Sequence, residues 1–535
     1  MKFDFKLATV AAGFLGYVFA QSAERKIAII GAGAAGSAAA YFLNQLATEA
    51  GVNVNVTLFE KTNHIGGRSI TINAFDDPAQ PFEQGASIFV PINYVLYESM
   101  NAFGLTPRDP DVGSDPVMGI WDGNSFVFTI NENHPEWWTN LKILLRYGPT
   151  APQKAKDLVT ATIGRFLQMY TPQFFPFESL TERAEQLNLT AVTGVTGQHF
   201  LAANGVGTLY ANELIQSLAR VNYASNLPNM HGLCAMGSVA AQGAIAVQGG
   251  NWQIFDEMAQ RSDAHIQLDT AVTAIDKDSS GTKFEIQTTS GSTPGTPSTY
   301  PTSFDNVIIA NPFQFSGISV GEDVFSTTLE TIDYVQLHVT IFTSTKKFKP
   351  SFFNLPSWIS APGAVLTTLA KTDTPTSGPD GVGKPGFWSL TTLGKATNPQ
   401  TNQQENVYKI FSPEAVTPSF LSDLLGGTVP STFTGGSSPI SWYKATVFHS
   451  YPKTSPRTTF QDPIVGEGVY YTSGIEAFLS TMETSALMGK NVARLIVDDI
   501  LAAGSGSGSK MVKSRESDSE RDSQGVWWEK QSVLN

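Results

Sequence analysis

Residues 26–60, KIAIIGAGAAGSAAAYFLNQLATEAGVNVNVTLFE, read as one complete β-α-β unit. Lys26 to Ile30 is a short apolar strand and Gly31 to Gly36 a glycine-rich turn. Ser37 to Glu49 is alanine-rich with apolar residues at helical spacing, and Val54 to Phe59 is a second strand ending in Glu60. The turn spells G-x-G-x-x-G. Alone that pattern is weak. Between a strand and a helix, with an acid closing the next strand, it has the context its mechanism requires. Gly31 allows the tight turn, Gly33 lets the backbone approach a pyrophosphate, and Gly36 lets the helix pack against the strand. The helix start offers unpaired amides and a partial positive charge to phosphates. Glu60 is placed to accept from ribose hydroxyls, and its carboxylate repels a 2′-phosphate, which argues against NADP.

Outward from this unit, the chain has 535 residues, 41% hydrophobic and 15% charged, which is enough for more than one compact domain; two are expected. A net charge of −13 disfavours nucleic acid and anionic lipid as partners. Residues 1–20 read as a signal peptide: Lys2 and Lys6, an apolar run from Leu7 to Ala20, and small residues Val18 and Ala20 before a cleavage point at Gln21. The run is too short for a comfortable membrane span. The expected location is the secretory route, ending in a lysosome, a vacuole or outside the cell. Cys234 is the single cysteine, so no intrachain disulfide can form. Asn188-Leu-Thr190 is a candidate glycosylation sequon, whereas Asn55-Val-Thr57 falls in a strand expected to be buried.

The remaining chain is read coarsely. From about Pro91 to Thr190 the pattern is helical and aromatic-rich, punctuated by prolines. Leu209 to Val221 and Asn251 to Arg261 are helices, with a small-residue stretch from Gly232 to Gly249 between them. Strands follow at His265 to Leu268, Ala271 to Asp276, Lys283 to Thr288 and Asn306 to Ala310. Residues 311–440 are mixed strands and long loops, Gly468 to Ser473 is a strand, and Met482 to Leu501 is a long helix. A glycine-serine linker starts at Gly504, and the tail to 535 is expected to be disordered.

Glu60-Lys61, then Gly66-Gly67-Arg68-Ser69, resembles the second half of the FAD fingerprint of the flavin amine oxidase and glutathione-reductase-like superfamily. By that resemblance Arg68 sits over the pyrophosphate as a fixed cation, and the Gly85-Ala86-Ser87 backbone touches the flavin ring. The strand at Val272 meets the adenine, and Gly474-Ile475 closes on the pyrophosphate and ribityl chain. Met482 and Glu483, at a helix start, face the flavin O2 region, where a positive helix end stabilises anionic reduced flavin. Ala34 and Ala35 complete the expected cofactor set. Glu83 is expected to be structural.

Three stretches resemble the prenylcysteine oxidase family: Glu83-Gln-Gly-Ala-Ser-Ile-Phe-Val-Pro-Ile-Asn93, Asn212-Glu213-Leu with Arg220-Val-Asn222-Tyr223, and Ala246-Val-Gln-Gly-Gly250-Asn251. The resemblance runs from about 25 to 500 and is thin over 100–190 and 311–440. It implies an FAD-dependent oxidase of a prenyl thioether. Hydride passes from the C1 carbon to flavin N5, water adds, an isoprenoid aldehyde and cysteine separate, and O2 is reduced to hydrogen peroxide. The implied partners are a small hydrophobic thioether and O2. Arg220, Asn222 and His231 are weak catalytic candidates, each with an ordinary structural role as the alternative. No histidine spacing suggests a metal site. The competing readings are a flavin oxidase of amines or amino acids, and a non-catalytic FAD-binding protein. The expected fold is α/β: a discontinuous Rossmann-like FAD-binding domain (24–95, 240–310 and 440–503) with an inserted α+β substrate domain (96–239 and 311–439).

Overall fold

The computed structural model describes residues 24–110, 116–241, 243–291, 295–376, 379–431 and 439–504. The segment read as a signal peptide and the tail from 505 lie outside the described residues. The chain opens with β1 (Arg25–Ile30), α1 (Ala34–Ala50) and β2 (Val54–Phe59). β1 and β2 run parallel, with Ile30 opposite Phe59. On the other side of β1 lies β3 (Asn306–Ile309), also parallel, with Ile30 opposite Ile309. The full sheet has six strands, completed by His265–Gln267 beside β2 and by Val469–Tyr471 and Ile464–Gly466 beyond β3. Its centre is covered on both faces, which is why these strands are continuous apolar runs. Ile27 and Ile29 face one core and Ala28 and Ile30 another.

A four-stranded sheet is built around Thr270–Lys277. It is tied to the end of β2, because the Thr270 amide donates to the Glu60 carbonyl at 2.8 Å. Ser319–Val320 pairs with it, so part of the chain beyond 311 joins this sheet rather than the substrate half.

The third large sheet has seven strands. Next to one edge, β4 (Tyr334–Ser344) runs antiparallel to β5 (Gln404–Ser412) on one side and to β6 (Trp442–Pro452) on the other. β6, which lies beyond the boundary read at 440, is an edge strand of this sheet. The helical reading of 91–190 also needs correction. Val117–Trp121 and Phe126–Asn131 form a hairpin at the far edge, held by parallel pairing to Ala364–Thr367. Their partner lies more than 200 residues away, so no local pattern announces them. One face of the sheet carries Leu337, Val339 and Ile341 against Phe82 and Ala74; the other carries Phe342, Tyr408 and Ile410.

Between the sheets lie helices. α2 (Tyr94–Ala102) follows the motif stretch at 83–93. A helix at Thr208–Tyr210 continues through a π-helical turn, Ala211–Ile215, into α3 (Gln216–Tyr223). α4 (Gly232–Val239) occupies half of the small-residue stretch. The last helix, α5 (Met482–Gly504), includes Gly504, which the sequence reading gave to a linker. α5 packs against α1 so closely that a Cβ on Gly489 would lie 2.1 Å from the Ala35 carbonyl oxygen. No helix among the described residues is long and apolar enough to cross a membrane. Asn188 is exposed; so is Asn55, contrary to expectation, although Thr57 is buried.

Candidate active site

The turn after β1 is shaped by contacts that only glycine permits. Gly31 has φ +104°, and a Cβ on Gly36 would lie 1.8 Å from the Gly31 carbonyl oxygen. Gly33 is the residue preceding α1, and no side chain caps the helix. Its first-turn amides are left for a ligand. Facing Gly33 is Gly67, at φ +59°, whose Cβ would lie 3.1 Å from the Gly33 Cα. Glu60, 7% exposed, stands at the end of β2. One oxygen accepts from the Ala32 amide at 2.9 Å and the other from the Thr62 amide and hydroxyl at 2.9 and 2.8 Å. A carboxylate has about four acceptor sites, so capacity remains for ribose. Uncapped helix, facing glycines and a fixed acid together fit a dinucleotide. Val272, nearly buried, lies in the strand that begins beside Glu60. Lys61 is exposed, and Ala35 is core against α5.

Arg68 joins the first motif to the last. Its Nη2 pairs with Glu476 at 2.8 Å, and its Nη1 donates to the Ser450 carbonyl at 2.9 Å. Glu476 is 3% exposed and also accepts from the Tyr334 hydroxyl at 3.2 Å. Gly85 lies directly on this arginine: a Cβ there would be 1.8 Å from the Arg68 carbonyl oxygen. The Ala86 amide donates to that same oxygen at 3.1 Å.

Two of the family-like stretches meet at this loop. The Asn251 amide donates to Glu83 at 2.7 Å, and its side chain donates to the Ala86 carbonyl at 3.1 Å. From β5, Lys409 donates to the Glu83 carbonyl at 3.1 Å and the Ser87 hydroxyl at 2.9 Å, while Ser87 donates to the Gly85 carbonyl. Glu83 is thus a structural acid, as expected.

The C-terminal stretch closes the cradle. A Cβ on Gly474 would lie 2.7 Å from the Gln461 carbonyl, and Ile475 is fully buried in the core. Thr481 and Thr484 form a reciprocal cap: each hydroxyl accepts from the other's amide, at 3.0 and 3.1 Å. The amides of Met482 and Glu483 remain as the first-turn donors that a ligand oxygen can meet. The Glu483 carboxylate, however, faces elsewhere. It accepts from the amides of Val95 and Leu96 at 2.9 and 3.0 Å and from Tyr170 at 2.7 Å, capping α2. Burial pushes this carboxyl up to about 7.

Each of the three weak catalytic candidates is engaged by partners within the fold. Arg220 is fully buried and donates to Thr367, Asn226, Gly381 and Val382, with its guanidinium 4.6 Å from the Trp388 ring centre. It stitches α3 to the seven-stranded sheet, and burial lowers it to about 9. Asn222 donates to the Ser238 carbonyl of α4. His231 caps α4 by accepting from the Cys234 amide at 3.3 Å, and its Nε2 donates to the Ala477 carbonyl at 3.1 Å. Both ring nitrogens are spent, and burial holds the ring down to about 4. Cys234 is buried. The sequence reading quoted Glu476 within its C-terminal motif without a role, and it missed Lys409. For Lys409 a signal existed: it is the one charge inside the apolar run Val407 to Phe411. Among the described residues no group of His, Cys, Asp and Glu could hold a metal ion.

Solved structures share this fold. Cyclohexylamine oxidase from Brevibacterium oxydans superposes with a TM-score of 0.53 at 16% identity, covering 89% of this chain and 99% of that one. A CLA-producing fatty acid isomerase from P. acnes gives 0.53 at 15% identity, covering 88% and 98%. Identities this low speak to the fold alone. A family model described as NAD(P)-binding Rossmann-like domain matches residues 29–103. With the cradle described above, this match defines the class by fold: a dinucleotide-binding protein with a Rossmann-like domain. The model described as prenylcysteine lyase matches residues 130–505, well over half of the sequence. The chain belongs to the prenylcysteine lyase family. Farnesylcysteine lyase of Arabidopsis thaliana is 27% identical over 503 residues, 90% of each chain. Human prenylcysteine oxidase 1 is 25% identical, over 88% of each.

Proposed function

We propose that this chain oxidises the thioether of farnesyl- or geranylgeranyl-cysteine. Thioether, O2 and water become isoprenoid aldehyde, free cysteine and hydrogen peroxide. The observation that carries the reading is the family match over 130–505, because this part of the chain includes five of the seven strands of the large sheet. When bound, FAD supplies the hydride acceptor at N5 and the route to O2. The chain's residues supply position. Gly33, Gly67 and the α1 amides receive the pyrophosphate, and Glu60 receives the ribose. The Arg68–Glu476 pair fixes the cradle's middle, and the free amide of Met482 would be a donor to a bound flavin. Lys409 and Asn251 hold the Gly85–Ser87 backbone in place, and that backbone would meet a bound flavin. The reaction asks no side chain for strong base chemistry, consistent with the structural roles of His231 and Arg220.

We read the chain as a discontinuous cofactor unit with an inserted substrate unit whose sheet includes β6. We also place it on the secretory route, in a lysosome, a vacuole or outside the cell, on the strength of residues 1–20. The test is a spectrum of the purified protein with farnesylcysteine added anaerobically. Flavin bands near ~450 nm should bleach, then return with air as peroxide appears. Bands that stay unchanged would remove the substrate and send the search to amines and other thioethers.

A further inference from the structure

Two local irregularities aim a pair of tyrosines at each other. On β6, Tyr451 pairs with Val335 and His449 with Gln336, so Ser450 is an extra, bulged residue. Bulges re-aim side chains beside active sites. Here the bulge turns the Ser450 carbonyl to Arg68 and sets Tyr451 beside it. The second irregularity is the π-helical turn at Ala211–Ile215, a feature often found at functional sites. Arg146 and Tyr147 clamp it through Glu213, and it resets the rotation of α3, whose last residue is Tyr223. The rings of Tyr223 and Tyr451 meet edge to face, with centres 5.6 Å apart.

The pair spans the cradle. Tyr451 adjoins Arg68. At the other end, a Cβ on Gly237 would lie 3.5 Å from the Tyr223 hydroxyl and 3.1 Å from Leu479, which leads into the start of α5. Tyr223 is 6% exposed. Among the described residues neither hydroxyl has a protein partner, and neither oxygen is sealed off. Buried polar groups without a partner are costly unless something else bonds them. Burial raises the Tyr223 hydroxyl well above its ordinary range and Tyr451 to about 12, so both remain donors.

Building on the thioether reading above, we infer that Tyr223 and Tyr451 seat the amino-acid head of the substrate, their hydroxyls donating to its free α-carboxylate. A carboxylate suits this place better than an ammonium. Glu476 is committed to Arg68 and Tyr334, and Glu483 to α2, so neither acid is left for a cation. The start of α5 adds positive potential at the Tyr223 end.

The experiment compares farnesylcysteine with its methyl ester, using the full chain loaded with FAD and the variants Tyr223→Phe and Tyr451→Phe. Wild type should favour the free acid. Each variant should raise KM for the acid about tenfold, the size of one charge-assisted hydrogen bond. It should leave kcat and the ester nearly unchanged. Flavin absorbance and melting temperature, which a hydroxyl deletion should not move, report folding. An unchanged acid-to-ester ratio in both variants overturns the inference, as does an equal loss with both substrates. A wild type that turns over neither substrate refutes the thioether reading itself, a different failure from either of these.

Discussion

At the residue scale, the cradle depends on atoms that are missing. Gly67 sits at φ +59° with its bare Cα toward Gly33. Gly67→Ala asks an ordinary residue to hold a left-handed conformation, a cost of about 1–2 kcal/mol. It also places a methyl group where the pyrophosphate is proposed to lie. We expect a folded protein with a melting temperature within a few degrees of wild type and FAD affinity at least tenfold weaker, measured by titrating apoprotein with FAD. An affinity equal to wild type would move the pyrophosphate away from this seam. Glycines and acids of this kind were legible in the sequence, because their spacing alone states the mechanism. Arg220 and His231 were not. Each looked chemically able, yet each is consumed by acceptors 150 to 250 residues away, at Gly381 and Ala477. Only the fold reveals that a polar side chain has already been satisfied.

At the element scale, two helices are capped by buried titratable groups with opposite habits. Glu483 caps α2 and is raised from 4.5 to about 7; His231 caps α4 and is lowered from 6.5 to about 4. Between about 4.5 and 7 the folded chain keeps the Glu483 proton that the unfolded chain has released. This contribution therefore falls as pH rises. Between about 4 and 6.5 the unfolded chain binds the histidine proton and the folded chain does not, so that contribution rises with pH. The slopes oppose one another, and wild-type melting temperature should be nearly level across pH 4.5 to 6.5. Glu483→Gln should expose stability that climbs with pH over this window. His231→Asn should expose the reverse. Identical profiles in all three proteins would show that neither cap titrates there. The hairpin at 117–131 teaches a related lesson. Its residues lack clear alternation, and it is strand because Ala364–Thr367 offers a free edge. The β-α-β unit, by contrast, draws its identity from neighbours within 40 residues.

At the scale of the whole molecule, the cradle is assembled from three distant parts of the chain: residues 31–87, the strand at Val272, and residues 474–483. α5 presses on α1 through Gly489 and Ala35, which brings Met482 to the motif that begins the chain, and Glu476, in the turn before α5, pairs there with Arg68. We therefore expect cofactor loading to wait until α5 has been made. A ribosome that has made the first 440 residues holds every glycine of the N-terminal motif but neither the partner of Arg68 nor the amides of α5. Stalled nascent chains of increasing length should retain FAD only after residue 504 has emerged, read by co-sedimentation of flavin fluorescence. Retention by a chain stalled with α5 still hidden would mean that the N-terminal segment binds alone. If loading is the last event, a cell short of FAD would accumulate full-length apoprotein, not truncated chains, and could rescue that reserve without new translation.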